Sequence, residues 1–478
     1  NISANFNYLR QDYTGLAFDY HIILKILINL LLAIIIIIAY YLLGDKIRQH
    51  FFKIIGLKKF NYLINICLGY IFVGTSLGLI GIFSKLSPSI MSTFILLILL
   101  VAIYPINLFL PRIKELYIQF ADFFSGYSKN KLVFFFVFIF IIIAIFKLIS
   151  PEVKEDQYHT DFPTIYLKNH TIMIPKGEPL RAILSPQLAE MSYMITIFLN
   201  NKESSRYINF LFYILILLTF YSLSKEKRYK STIYAILIFA STPIVIKETS
   251  TTYVEFPFIL CLLISILVLC KNKITNKEMF LSGILFGGML ATKLWTIAFL
   301  PIPLIYLFFI YKNVKRSQLL QYILIFTISA LIIPSIWYIR SFILSGTPFF
   351  PAFVNDENLG NIYTNTGFGQ FLGINYLLLS FSNLKEFSPL FYIGIFFIIF
   401  KFKDFVKILN SRKIFIFTLL LLLEHIYIQY YLSRYLLGLY PLMIIVASYG
   451  VENGINSQFT FKRTDNKWRM AKYEDYST

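Results

Sequence analysis

Long apolar runs recur along almost the whole of this 478-residue chain. Each is about the length, 17–25 residues, that a helix needs to cross a hydrocarbon layer roughly 30 Å thick. Hydrophobic residues make up 57% of the sequence and mean hydropathy is +0.68, well outside soluble composition. A backbone in hydrocarbon must satisfy its own N–H and C=O groups, and a helix does so within the segment. The expected fold is therefore all-α, a polytopic integral membrane protein. Its spans, about thirteen, fall near 21–44, 62–84, 88–110, 132–150, 207–224, 231–246, 254–270, 279–293, 295–311, 319–339, 388–402, 414–431 and 435–450. The pair after Lys277 is short. It can be read as two spans, as one broken helix, or as two segments that do not fully cross.

The connectors alternate in charge. Lys46–Lys59 holds five Lys/Arg, Arg112–Lys131 four, and Lys225–Lys230 four. Lys271–Lys277, Lys312–Arg316, Lys401–Lys413 and the tail continue the series, while the intervening connectors are poor in cations. The positive-inside rule puts the basic set in the cytoplasm. The N-terminus is then outside, the C-terminus inside, and the loop after the fourth span outside. This pattern accounts for most of the formal charge of +19, which leaves nucleic-acid binding a poor reading. The cysteines Cys67, Cys261 and Cys270 lie in apolar segments and have neither disulfide-framework nor metal-ligand spacing. The chain begins with Asn, which leaves room for a short leader ahead of it, and no signal-peptide pattern is read within it.

Two outer loops are long, Pro151–Arg206 and Ser341–Glu386. The first opens on Glu155-Asp156-Gln157-Tyr158-His159-Thr160-Asp161-Phe162-Pro163. A carboxylate here can accept a proton from a substrate hydroxyl, bind a divalent ion, or stand solvated. A lone loop Asp is usually solvated, but acids, a His and a Pro gathered beside a membrane favour function. The same loop has apolar residues at helical spacing in Pro179–Leu199, expected as an amphipathic helix along the outer interface or as an ordinary docking helix.

Lys293 lies between two apolar runs, where an ionised side chain costs about 2.5–3.5 kcal/mol unless it faces protein, water or an anion. Snorkelling to the interface is its bland alternative. Arg340 and Arg434 sit at outer helix ends, against the charge trend. Their planar forks suit phosphate, and pairing with lipid headgroups is an equally simple reading. Glu255 opens the seventh span from outside; its bland readings are a membrane-edge acid or a partner for Lys247.

Taken in order, these segments resemble the GT-C superfamily of polytopic glycosyltransferases, nearest the bacterial branch similar to dolichyl-phosphate-mannose-protein mannosyltransferases and aminoarabinose transferases. The resemblance rests on Asp156 with Tyr158-His159 and Pro163, Pro186-Gln187-Leu188-Ala189-Glu190-Met191, and Thr242-Pro243 with Thr252-Tyr253-Val254-Glu255. It continues in Gly288 with Ala291-Thr292-Lys293, Trp337-Tyr338-Ile339-Arg340 with Gly346-Thr347-Pro348 and Pro351, and Ser433-Arg434-Tyr435. It covers about Pro151 to Tyr449. Glu255 replaces the commoner Asp, Ala291 replaces a Gly, and the acid sits close to Tyr-His, so Asp156 and Asp161 compete for one role.

The resemblance implies a GT-C-like core at 151–450, behind a four-helix preamble at 1–150 and ahead of a short basic cytoplasmic tail at 451–478. It implies an enzyme moving a sugar from a polyprenyl-phosphate donor to an acceptor hydroxyl on a glycan, lipid or protein, with inversion, at the outer face of the cell membrane. Asp156 or Asp161 would be catalytic. Tyr158, His159, Glu255, Lys293, Arg340 and Arg434 would bind substrate. No cofactor is required; a divalent metal is compatible with this reading without being needed. A transporter or flippase of lipid-linked sugars would use the same cations without a catalytic acid, and should show repeated halves. An outer-face polysaccharide polymerase or ligase would need catalytic Arg and His in a late outer loop. The sequence leaves sugar, acceptor and oligomeric state open.

Overall fold

The computed structural model describes residues 20–52, 58–83, 85–104, 106–125, 130–150, 158–174, 184–226, 230–271, 273–311, 314–349, 386–400, 417–418, 420, 437–456, 460–464 and 467–471. The apolar runs are helices. α1 (Tyr20–Ile47) and α2 (Asn61–Ile82) pack along each other. A Cβ on Gly69 would stand 2.0 Å from the Tyr40 carbonyl oxygen, so the two backbones meet directly. Small residues allow this approach, which matters where surrounding lipid is as apolar as leucine.

α3 (Pro88–Ile103), α4 (Ile106–Ser125) and α5 (Lys131–Ile149) follow. The expected span 88–110 therefore stops early, and the basic connector behind it is itself a helix. Tyr104 is extended, ψ 139°, as expected of a residue before proline. The polar loop carries α6 (Tyr158–Asn169) and α7 (Leu188–Phe198), ahead of α8 (Ser204–Ser224). The expected span 231–246 is two pieces, α9 (Thr232–Ala240) and α10 (Pro243–Glu248), parted where Thr242 turns extended and Pro243 starts anew.

Next come α11 (Glu255–Leu269), α12 (Asn276–Leu290), a 3₁₀ turn (Leu294–Phe299), α13 (Pro301–Ile310) and α14 (Arg316–Ser345). α14 ends on Gly346 in the left-handed region, φ 78°. α12 and α14 touch closely, since a Cβ on Gly287 would lie 2.7 Å from the Ala330 carbonyl oxygen. The short pair after Lys277 is α12 followed by the 3₁₀ turn and α13, neither of them among the helices long enough to cross. Tyr306 and Tyr311 hydrogen-bond back to Cys270 Sγ (3.4 Å) and the Lys271 carbonyl (3.3 Å), so the chain returns to the end where α12 began.

α15 (Pro389–Phe400) and α16 (Tyr440–Asn456) pack together. Past α16 the chain forms an antiparallel hairpin of β1 (Thr460–Thr464) and β2 (Lys467–Ala471), where the all-α expectation placed only a short tail. Among the described residues, five helices are long and apolar enough to cross a membrane: Ile23–Phe52, Asn61–Ile82, Lys131–Ile149, Ser204–Ser224 and Arg316–Ser345. Shorter apolar helices pack around them. The expected span 414–431 falls almost wholly outside the described residues.

Charge sorts the connectors between the two ends of the bundle. At the basic end Asp45 pairs with Arg48 (2.7 Å) and Arg112 (2.9 Å), Lys59 with Glu226 (3.0 Å), Lys225 with Asp122, and Lys271 with Glu278. Phe52 stacks on Phe280 and joins the first of these connectors to α12. The opposite end gathers α6, α7, and the turns at 250–255 and 291–295. Among the described residues, the basic connectors that carry these pairs thus meet at one end.

Candidate functional site

α7 organises the opposite end. It was expected to lie along the membrane surface or to dock, and it docks: Leu188 to Thr196 are all buried, which a surface helix with one lipid face would not show. Residues 179–183 of that stretch lie outside the described residues. The N-terminus of α7 needs partners for its first N–H groups, and the Leu188 N–H donates to the Ala291 carbonyl at 2.9 Å. That bond sets α7 beside the turn carrying Thr292 and Lys293.

Three further contacts radiate from the first turns of α7. Glu190, 3% exposed, holds His159 Nδ1 at 2.6 Å through Oε1, and the Oε2 of Glu190 has no hydrogen bond among the described residues. The His159 ring stands edge-on to Tyr253, centroids 5.6 Å apart. Tyr193 donates its hydroxyl to the Tyr253 carbonyl at 3.2 Å. Gln187 Oε1 accepts from the Tyr166 hydroxyl and from Arg340 Nη1, the latter at 3.3 Å. One short helix therefore fixes α6, the approach to α11, the end of α12 and the C-terminal part of α14.

Lys293 is extended between α12 and the 3₁₀ turn, and its ammonium meets the Glu255 carboxylate. Both side chains are largely buried. Glu255 is the first residue of α11, where the helix dipole favours a negative charge. Its partner is Lys293, not Lys247. The loop leading to Glu255 is held by Arg206, which donates to Ser250 O (2.6 Å) and Ser150 O (2.8 Å), and by Asn209, which donates to Glu248 O (3.0 Å) and Thr251 O (3.1 Å).

Arg340 is 0% exposed. Its guanidinium lies over the Trp337 ring and donates to Ser185 O at 3.1 Å and Tyr166 Oη at 3.4 Å. Burial pushes the Tyr166 hydroxyl up to about 12, against the pull of Arg340, so at neutral pH it stays a donor. Substituting Arg340 by Lys keeps the charge and loses the fork. The expected cost is roughly 1.5–3 kcal/mol, one charged hydrogen bond, read from thermal unfolding in detergent. An unchanged unfolding temperature overturns the clamp.

Asp161 lies in the first turn of α6, exposed and bridged to Lys202 at 2.9 Å. α6 itself is docked by Leu86 N–H to His170 O (3.0 Å) and Ile172 N–H to Gly81 O (3.1 Å). Tyr158 opens α6. Asp156 and Arg434 lie outside the described residues. Among the described residues, no three His, Cys, Asp or Glu side chains gather as a metal-ligand set.

The structure thus joins His159 to Glu190 and Glu255 to Lys293, and sets Arg340 beside the start of α7. The sequence reading did not place Glu190, Gln187, Tyr166 or Arg206 in the site. Glu190 had a usable signal, an acid inside an otherwise apolar helix, which demands a partner.

Residues 188–338 match the family model described as dolichyl-phosphate-mannose-protein mannosyltransferase. No curated protein and no solved structure matches the chain. The matched segment opens on the first residue of α7 and closes two residues before Arg340. It contains Glu190, Glu255 and Lys293, and it excludes Asp156, His159 and Asp161. The chain is a membrane protein with a glycosyltransferase-like middle segment.

Proposed function

We propose that this chain is a membrane glycosyltransferase that takes a sugar from a polyprenyl-phosphate-linked donor and transfers it to an acceptor hydroxyl, with inversion, at the outer face of the membrane. The observation that carries the reading is the Glu255–Lys293 pair, buried at the end opposite the basic connectors and inside the mannosyltransferase-like segment. A lipid phosphate is already a good leaving group, so the protein needs chiefly to place cations where its charge develops. Lys293 is the candidate for that work. An arriving phosphate would compete with Glu255 for its ammonium. Arg434, in Ser433-Arg434-Tyr435, is a second candidate, and Arg340 holds the start of α7 from within.

The acceptor hydroxyl needs a base. Asp156, two residues ahead of α6, is our first choice, and Asp161, on the exposed side of that helix, is the second. His159 and Glu190 would fix the segment that carries both. Tyr158 stays a substrate-binding candidate. Acceptors among glycans, lipids and proteins all fit this scheme.

The outer-face assignment follows from the positive-inside rule and is directly testable. Cysteines placed at Lys168 and Lys227 are expected to react oppositely with an impermeant thiol reagent applied to intact cells. Lys168 should label from outside and Lys227 only after permeabilisation. Labelling of Lys227 alone from outside inverts the topology and removes the outer-face mechanism.

A further inference from the structure

The helix α4 was not expected from the sequence, and neither the family match nor the proposed reaction gives it a role. It lies across the basic end of the bundle, not along it. Near its start Arg112 Nε pairs with Asp45 at the end of α1, at 2.9 Å. Near its finish Asp122 pairs with Lys225, and its carbonyl accepts from the Tyr221 hydroxyl at 2.5 Å, at the end of α8. Ten residues of helix span about 15 Å, so α4 bridges the ends of two transverse helices. Arg112, Leu116 and Phe123 face the bundle and are buried.

A second face is apolar and uncovered. Leu110, Tyr117 and Phe124 are 73%, 70% and 60% exposed. They recur every seven residues, which puts them on one line along the helix. Glu115, exposed as a residue although its Oε2 accepts from the Tyr41 hydroxyl at 3.4 Å, lies on roughly the opposite side. On either side of α4 in the chain, the membrane helices α3 and α5 present their own exposed apolar faces, including Leu100, Val101 and Tyr104 on one flank and Leu132, Phe135 and Phe136 on the other. In the chain the stripe therefore lies between two exposed apolar surfaces.

We infer that α4 is an interfacial helix, seated with Leu110, Tyr117 and Phe124 in the headgroup–acyl boundary of the phospholipid leaflet at the basic end. Three arguments name lipid as the occupant. The stripe lies in the chain between the exposed apolar faces of α3 and α5. The ion pairs at both ends hold the axis across the bundle. The three-way division of the helix into bundle, apolar and polar sides is what such a helix needs. The inference is independent of the proposed reaction.

Spin labels on single cysteines test it in the full chain, reconstituted in phosphatidylcholine nanodiscs. Labels at Leu110→Cys, Tyr117→Cys and Phe124→Cys are expected to collide more with oxygen than with a water-soluble nickel chelate. A label at Glu115→Cys is expected to show the reverse. Equal nickel access at all four positions would put α4 in water and overturn the inference. Shielding of the three stripe labels from both reagents would also overturn it, because a protein surface would then cover the stripe. All four residues are exposed, and Glu115→Cys also removes the hydrogen bond from Tyr41, so folding is checked by the elution profile of each labelled variant before the measurement.

Discussion

Asp156→Asn is expected to lower sugar transfer from a polyprenyl-phosphate donor by about 10²–10⁴-fold, the usual contribution of a general base, while donor binding persists. Asparagine keeps the shape of the side chain and removes the proton acceptor. Asp161→Asn is expected to leave transfer within a few-fold, because Asp161 is already engaged by Lys202 on an exposed face of α6. Measuring both variants assigns the base. Full activity in Asp156→Asn with loss in Asp161→Asn moves the role to Asp161. Full activity in both takes this loop out of the chemistry and favours a transporter of lipid-linked sugars.

The Glu255–Lys293 pair gives the second large effect. Lys293→Met leaves a buried carboxylate without its cation, and Glu255→Gln leaves the ammonium without its anion. Breaking a buried pair from one side costs about 3–5 kcal/mol, whereas replacing both partners together is often close to neutral. Each single variant is therefore expected to unfold at markedly lower temperature, and the double variant to recover most of the loss. Transfer and donor binding should behave differently. Both are expected to stay lost in the double variant, since Lys293, the first candidate for holding the phosphate, is absent. A double variant that regains stability and activity together would reduce the pair to a structural staple. The cycle also returns the coupling energy between the two side chains.

Much of the architecture was legible because lipid imposes a simple code. An apolar run of sufficient length becomes a helix, and the charge of each connector assigns it to an end. Departures came where local backbone chemistry cut across that code. Pro105 and Pro243 divide runs that hydropathy alone reads as continuous, and they turn Tyr104 and Thr242 extended. The chain from Pro179 to Leu199 carried an amphipathic signal that suits a membrane surface, yet α7 is enclosed on every side. Periodicity shows that a helix has an apolar face; it does not show what covers the other.

At the candidate site, the sequence identified which side chains demand explanation. An acid at the start of α11, a lysine between two apolar runs and an arginine near the C-terminal end of α14 are each costly in lipid without partners. Their partners were a matter of tertiary structure. Glu255 has Lys247 eight residues away, but it meets Lys293, 38 residues on, because α11 and α12 pack side by side and bring their ends together. Arg340 reads as a phosphate-binding surface residue, but the Leu188–Ala291 bond and the packing of α6 and α7 enclose it against Trp337, Tyr166 and Gln187. His159 and Glu190 are neighbours only because two short helices of one loop fold onto each other. Hydropathy and charge are properties of single segments, so the sequence by itself determined a helical membrane protein with two unlike ends. Pairing of buried charges depends on which segments become neighbours, so only the tertiary structure decided the site.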